Sequence, residues 1–350
     1  MSAGTLGARL DTLGMWDATL GTAAQLAGAL AAVGDAITGL PARGEVDHLL
    51  LAGMGGSGLA GDVLLALAEP VSPIPVTVVK DSTLPAFVGP RTLVVALSFS
   101  GRTAETLAVA ATAVERGAPL VAVSTGGPLG EMARSHGGVA LGIDGRIPMP
   151  RAGLCAILAP VLAVAEDVGV LPGARRAGEA AVTQLRARTV ELAHAPSPAT
   201  FLARRIGRTW PIFYSAGRLG SAAVTRWKNQ VNENAKAPAF THVVPELCHN
   251  ELSGWGQHGD VSRQVLTLVE LRHDFETPDV ARRFELLNEQ MLEVVADLVT
   301  VEAAGEGPLA QLLDLALVGD VTSLQMATDA GVDPGPIPAL DQIKVGLALG

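Results

Sequence analysis

Two short stretches combine hydroxyl side chains with glycine at points where a strand pattern gives way to a helix pattern. Gly53-Met54-Gly55-Gly56-Ser57-Gly58 follows the apolar run His48–Ala52. Ser98-Phe99-Ser100-Gly101-Arg102-Thr103 follows Thr92–Leu97 and leads into Ala104-Glu105-Thr106. At such a junction backbone N–H groups and the helix dipole favour an anion, and hydroxyls add short uncharged donors. Gly53, Gly55 and Gly58 also satisfy the G-x-G-x-x-G spacing of a dinucleotide fingerprint, and Asp81 follows the next strand, where that fingerprint wants an acidic residue. A pyrophosphate bridge has no use for the second loop, whereas a terminal phosphomonoester presents several oxygens that many donors can share. The pair therefore points to a phosphate cradle formed by Gly56, Ser57, Ser98, Ser100 and Thr103. Ser and Thr also cap helices in the ordinary way; two neighbouring loops of this kind favour the anion.

Holding two such loops side by side requires parallel strands that end together. Strand-like runs at His48–Ala52, Pro75–Lys80, Thr92–Leu97 and Leu120–Ser124 alternate with helical patterns near 57–67, 103–116 and 128–136, the signature of βαβ units. Beyond residue 198 the alternation resumes, with strands expected at 210–215, 264–271 and 298–303 and helices at 281–296, 309–317 and 318–329. There Ser215-Ala216-Gly217-Arg218-Leu219-Gly220-Ser221-Ala222 stands where GMGGSGLA stood. The expected fold class is α/β, with two doubly wound parallel-sheet domains. Residues 1–40 form an N-terminal helical segment, 41–167 the first domain, 168–198 a helical linker ending in Ala195-Pro196-Ser197-Pro198, and 199–350 the second domain. A chain of 350 residues is long enough to divide in this way.

Composition narrows the function classes. Hydrophobic residues make up 49% and charged residues 17%, which excludes global disorder. The net charge is −10 with no Lys/Arg block, so the electrostatic footprint of a nucleic-acid binder is missing. Cys155 and Cys248 make no disulfide framework, and a reducing cytoplasm is the expected setting. The Ala-rich stretch from Ala18 to Val33 reads as a packing helix and not as a secretion signal. The apolar stretch from Gly153 to Ala165 is interrupted by Pro160 and falls short of the ~20 residues of a membrane span.

With both loops in view, the sequence resembles the sugar isomerase (SIS) domain family of phosphosugar-binding, doubly wound sheets. GMGGSGLAGD and SFSGRTAETL match its two phosphate loops. More narrowly it resembles the bifunctional phosphoglucose/phosphomannose isomerases. That match rests on Pro150-Arg151, on RWKNQVNENAKAPAF from Arg226 to Phe240, on PELCHNE from Pro245 to Glu251, and on Leu340-Asp341-Gln342-Ile343-Lys344. The resemblance implies two SIS-type domains and aldose–ketose isomerisation of hexose 6-phosphates, with neither metal nor organic cofactor. By position, Glu233 would be the base that moves a proton between C2 and C1 through a cis-enediol. His249 would open the sugar ring from a neighbouring subunit of a homodimer, Lys344 would assist at the ring oxygen, and Arg151 would stabilise the enediolate. The chemistry is coherent without the name: a weakly acidic proton alpha to a carbonyl needs a fixed carboxylate and a cation at the developing oxyanion. An imidazole that both accepts and donates a proton suits ring opening.

Three positions depart from the family's pattern. Its serine loop usually continues S-x-S-G-N-T-E-E-T, where this chain has Arg102 and Ala104; Cys248 stands where Asn is common; and Gly335 stands where relatives carry a hydroxyl thought to line the C2 side. His242, Glu246, Cys248 and His249 are ligand-type residues, but their spacing matches no zinc template. Two rivals keep the fold: a phosphosugar sensor, for which the segment before the first strand is too short and acidic to be a helix-turn-helix, and a glucosamine 6-phosphate synthase, whose N-terminal cysteine has no counterpart at Ser2. A dinucleotide oxidoreductase is the third.

Overall fold

The computed structural model describes residues 10–194 and 196–348, the side chains of 344, 345, 347 and 348 excepted. After two short helices, α1 (Met15–Leu20) and α2 (Thr22–Val33), the first half runs β1 (His48–Gly53), α3 (Gly55–Ala68), β2 (Val76–Val79), β3 (Thr92–Leu97), α4 (Ala104–Glu115), β4 (Leu120–Ser124), α5 (Gly127–Ser135) and β5 (Val139–Gly142). All strand pairs are parallel, in the order β2-β1-β3-β4-β5. β3 is buried at every position, as expected of a strand covered by helices on both faces. The direction of winding reverses between β1 and β3, and at such a switch point the crevice beyond the strands' carboxyl ends is the natural ligand site.

A tight turn at Pro150–Gly153 leads into α6 (Leu154–Asp167), α7 (Ala174–Leu192) and α8 (Pro198–Ile206). Pro160 does not interrupt α6, which continues through it, buried along nearly its whole length; packing all round outweighs one lost backbone hydrogen bond. The second half contains β6 (Trp210–Ala216), α9 (Gly217–Gln230), β7 (Phe240–Val244), α10 (Gly259–Val265), β8 (Leu266–Arg272), α11 (Pro278–Met291), β9 (Asp297–Glu302), α12 (Pro308–Asp329) and α13 (Pro338–Ala348). Its parallel order is β7-β6-β8-β9, the same winding with one strand fewer. Two sequence expectations change here. The strand expected from 264 starts at Leu266, because the preceding residues form α10, and the two helices expected between 309 and 329 are one.

The uninterrupted α12 holds the halves together. It is buried from Leu309 to Ala327, with its buried carboxylates Asp314 and Asp320 paired to Arg188 and Arg226, and packs on α7, α8 and α9. α3 and α9, the helices that follow the first strand of each half, pack on one another. One apolar cluster joins the inner faces of both sheets, and a smaller one fills the outer side of each. The segment expected as a linker includes α7, packed against α2, α6 and α12. Both cysteines are free, and among the described residues no helix is long and apolar enough to cross a membrane.

Candidate active site

The two hydroxyl-bearing loops meet at the switch point of the first sheet. Gly53 lies opposite Leu97 in the β1–β3 register, so both chains leave the sheet at the same level. Ser57 is buried and its Oγ accepts from Phe99 N at 3.2 Å, tying the first loop to the second. Ser98 Oγ is 2.8 Å from Thr103 Oγ1 and accepts from Thr103 N at 3.4 Å, while Ser100 Oγ accepts from Arg102 N at 3.3 Å. These bonds fix the loop and bring its hydroxyls over the first turn of α4, whose leading N–H groups have no partner within the helix. Thr106, in that turn, is buried with an unpartnered hydroxyl and joins the candidates; its place directly after the loop was the available cue.

Beside this cradle stands Arg151. A Cβ at Gly56 would lie 3.4 Å from Arg151 Cα, so the glycine loop touches the arginine's backbone directly. The side chain is only 3% exposed and is held by distant parts of the chain. Its Nε donates to Asn234 Oδ1 at 2.7 Å, and its Nη2 donates to the carbonyls of Pro334 and Gly335, the latter at 2.7 Å. The remaining nitrogen, Nη1, is buried without a hydrogen-bond partner and lies 3.6 Å from Glu233 Oε2. Burial lowers the guanidinium's pKa, opposed by Glu233 and reinforced by Arg226; an arginine nonetheless stays charged. A buried cation with one donor unsatisfied beside a carboxylate is suited to a transient oxyanion.

Glu233 is carried by a π-turn, Val231–Ala235, that ends α9 before Lys236 in the left-handed region at φ 56°. Such turns recur at functional sites. Several residues brace it. Lys236 Nζ donates to the carbonyl of Glu233, and at 3.3 Å to that of Pro334. Burial lowers the Lys236 pKa, and Arg151 adds to this. Asn234 Nδ2 donates to Ser323 Oγ at 2.9 Å, and Arg226 binds both oxygens of Asp320 at 2.7 and 2.6 Å while donating to the Arg151 carbonyl at 2.7 Å. Sequence reasoning did not assign Asn234, Lys236, Asp320 or Ser323 a role. The first two lie inside the NENAK stretch, but the α12 pair had no local signal.

The structure thus brings Gly56, Ser57, Ser98, Ser100, Thr103, Arg151 and Glu233 together around one crevice. It does not bring His249 to them within the chain: His249 is exposed, with no hydrogen bond or ion pair among the described residues. Lys344 falls in α13, its side chain outside the described residues. A Cβ at Gly335 would meet Leu13 Cγ at 2.8 Å, so any side chain there requires Leu13 to move. Among the described residues no group of three His, Cys, Asp or Glu is arranged to hold a metal; His242 instead binds Glu251 at 2.6 Å.

Compared with known proteins, the chain is 32% identical over 311 residues to the bifunctional phosphoglucose/phosphomannose isomerase of Caldicellulosiruptor bescii, covering 87% of this chain and 90% of that protein. The chain belongs to the bifunctional phosphoglucose/phosphomannose isomerase family. The bacterial phospho-glucose isomerase C-terminal SIS domain model matches residues 195–347, and the SIS domain model matches 45–137. Within the wider group, the D-glucosamine-6-phosphate 4-epimerase of Sulfolobus acidocaldarius is 32% identical over 216 residues, 61% of this chain and 65% of that protein. Among solved structures, the C-terminal domain of a Francisella tularensis glucosamine-fructose-6-phosphate aminotransferase superposes with a TM-score of 0.71 over 92% of this chain and 98% of that one; at 14% identity this likeness shows the two-SIS fold alone.

Proposed function

We propose that the chain interconverts fructose 6-phosphate with glucose 6-phosphate, mannose 6-phosphate or both, through a cis-enediol and without a metal ion. The observation that carries this reading is the contact between Gly56 of the cradle and Arg151, whose free Nη1 faces Glu233. A sugar phosphate held by its tail at Ser57, Ser98, Ser100 and Thr103 then has its reacting end beside the buried Arg151 guanidinium and the partly exposed Glu233 carboxylate. Glu233 takes the proton from C2 of the aldose and returns it to C1, while the hydroxyl proton passes from O2 to O1. Arg151 donates to the enediolate oxygen, a contact stronger in the transition state than in the ground state. Asn234 and the Pro334 and Gly335 carbonyls keep the guanidinium fixed, so no reorganisation is needed as charge develops. His249, delivered by the second subunit of a homodimer, opens the ring, and Lys344 assists at the ring oxygen. The two free cysteines suit a reducing cytoplasm.

The test is a coupled assay from fructose 6-phosphate that scores the two aldoses separately, on wild type and Glu233→Gln, with and without EDTA. Isomerisation that survives EDTA and is largely lost in the variant is expected. Binding of fructose 6-phosphate without formation of either aldose would instead identify a sensor. A different phosphosugar is the second reading, favoured by Arg102 in the phosphate loop and by the likeness to an amino-sugar phosphate epimerase. Glucosamine 6-phosphate as competing substrate separates the two.

A further inference from the structure

The segment between β7 and α10 carries His249 and is fastened to the second sheet in an unusual way. β6 and β7 pair in register with Tyr214 opposite His242, so the two side chains rise from the same face. Both reach one carboxylate: the Tyr214 hydroxyl donates to Glu251 Oε1, and His242 Nδ1 lies 2.6 Å from Glu251 Oε2. Burial, with Glu251 beside it, pushes the phenol's pKa up, so Tyr214 remains a donor throughout the physiological range. Asn250 completes the fastening: its Oδ1 accepts from Glu251 N at 2.6 Å and its Nδ2 donates to Glu246 Oε1 at 2.8 Å. Leu247 is fully buried, and Leu252 and Trp255 pack on the same apolar cluster. The His249 side chain is exposed and makes no hydrogen bond or ion pair among the described residues, while Leu247 and Asn250 close to it on either side are fixed.

We propose that Glu251, gripped by Tyr214 and His242, is a positioning residue that holds the segment presenting His249 to the sugar ring. It rests on the reading of His249 given above. A histidine on an untethered turn would sample many orientations, whereas a carboxylate held by donors from two adjacent strands ties its backbone two residues away to the sheet. Glu251→Gln keeps the size but replaces one acceptor by an NH₂ group, which sets a donor against Tyr214 or His242.

Steady-state kinetics from fructose 6-phosphate on Glu251→Gln, His249→Ala and the double variant test this. Glu251→Gln should lower kcat on the order of tenfold to a hundredfold with KM within about twofold of wild type. In the His249→Ala background it should lower kcat no further, because a residue acting through His249 has nothing left to position. Tyr214→Phe removes one donor within a buried site and should give a smaller loss of the same kind; it carries the test should Glu251→Gln fail to fold. Losses that multiply in the double variant, or a fall in Tm with kcat unchanged, would overturn the proposal alone. Wild-type kcat in His249→Ala would overturn the ring-opening role of His249 and the proposal together.

Discussion

The glycine turns that follow the first strand of each half share a backbone constraint and differ in their surroundings. A Cβ at Gly58 would stand 2.4 Å from the Gly53 carbonyl oxygen, and one at Gly220 would stand 2.3 Å from Ser215 Oγ, so both turns exclude a side chain. The loop on the neighbouring strand decides what each crevice does. Beside the first turn it is Ser98–Thr103, hydroxyls at a helix N-terminus. Beside the second, Arg272-His273-Asp274-Phe275-Glu276 closes on itself. Ser215 Oγ donates to the Leu271 carbonyl at 2.5 Å, His273 Nε2 lies 3.1 Å from the Ala216 carbonyl, and Arg272 is engaged by Glu276 at 2.6 Å. An anion meets donors in one crevice and carboxylates in the other. A repeated glycine turn is therefore not in itself a binding site. The second half serves the same crevice as the first by lending the helix after its turn, which ends in Glu233.

Under the proposed function, Glu233 of the second half bears on kcat and the hydroxyl loops of the first bear on KM. The largest expected effect is that of Glu233→Gln, a loss of about 10²- to 10⁴-fold in kcat with inorganic phosphate still competing normally; weakened phosphate competition would break the division. Ser98→Ala should raise KM about tenfold to a hundredfold, whereas Ser215→Ala, in the closed crevice, should lower Tm and leave KM alone. Gly58→Ala and Gly220→Ala should each cost about 1–3 kcal/mol in urea unfolding, with KM raised by the first only. Gly335→Ser should lower kcat several-fold by displacing the carbonyl that holds Arg151, and Leu13→Ala in addition should restore part of it, because it removes Leu13 Cγ and Cδ1, two of the three atoms in the way.

The smallest expected effect concerns the strands themselves. Position 96 of β3 is Ala and pairs with Ala52; the matching pair in the second sheet is Tyr214 and Glu270. Glu270 is fully buried, and burial raises its pKa, opposed by Asn288, Arg272 and Thr300. A raised carboxyl pKa means that the folded state holds its proton longer than the unfolded chain. Stability from this group is full below the unfolded value, near pH 4, and declines as pH rises through the folded value. Glu270→Gln should flatten that decline in Tm as pH rises above the unfolded value; an unchanged slope would show that Glu270 is not its source.

The two hydroxyl-bearing loops were legible because everything that makes them is local: an apolar run, a glycine turn and hydroxyls before a helix. Most of the α/β alternation was legible for the same reason, although β5 and α10 were not expected and two expected helices proved to be α12. The other side of the crevice was less so. Glu233 could be picked out by its motif, but Val231–Ala235 reads as an ordinary polar helix end, and nothing in its composition announces a π-turn. The partners of Arg151 come from 83, 183 and 184 positions downstream. Such pairings are set by how α9 and α12 pack, which no local pattern encodes.

The reach of Arg151 has a consequence for how the protein comes into being. Synthesis proceeds from the N-terminus and domains fold as they emerge, so the phosphate loops can be complete while the chain is still being made. The guanidinium beside them finds its carbonyl acceptors only when residues 334 and 335 have left the ribosome. On the proposed function, a nascent chain, or one truncated before that point, would thus retain its substrate's tail and have no fixed cation to turn it over.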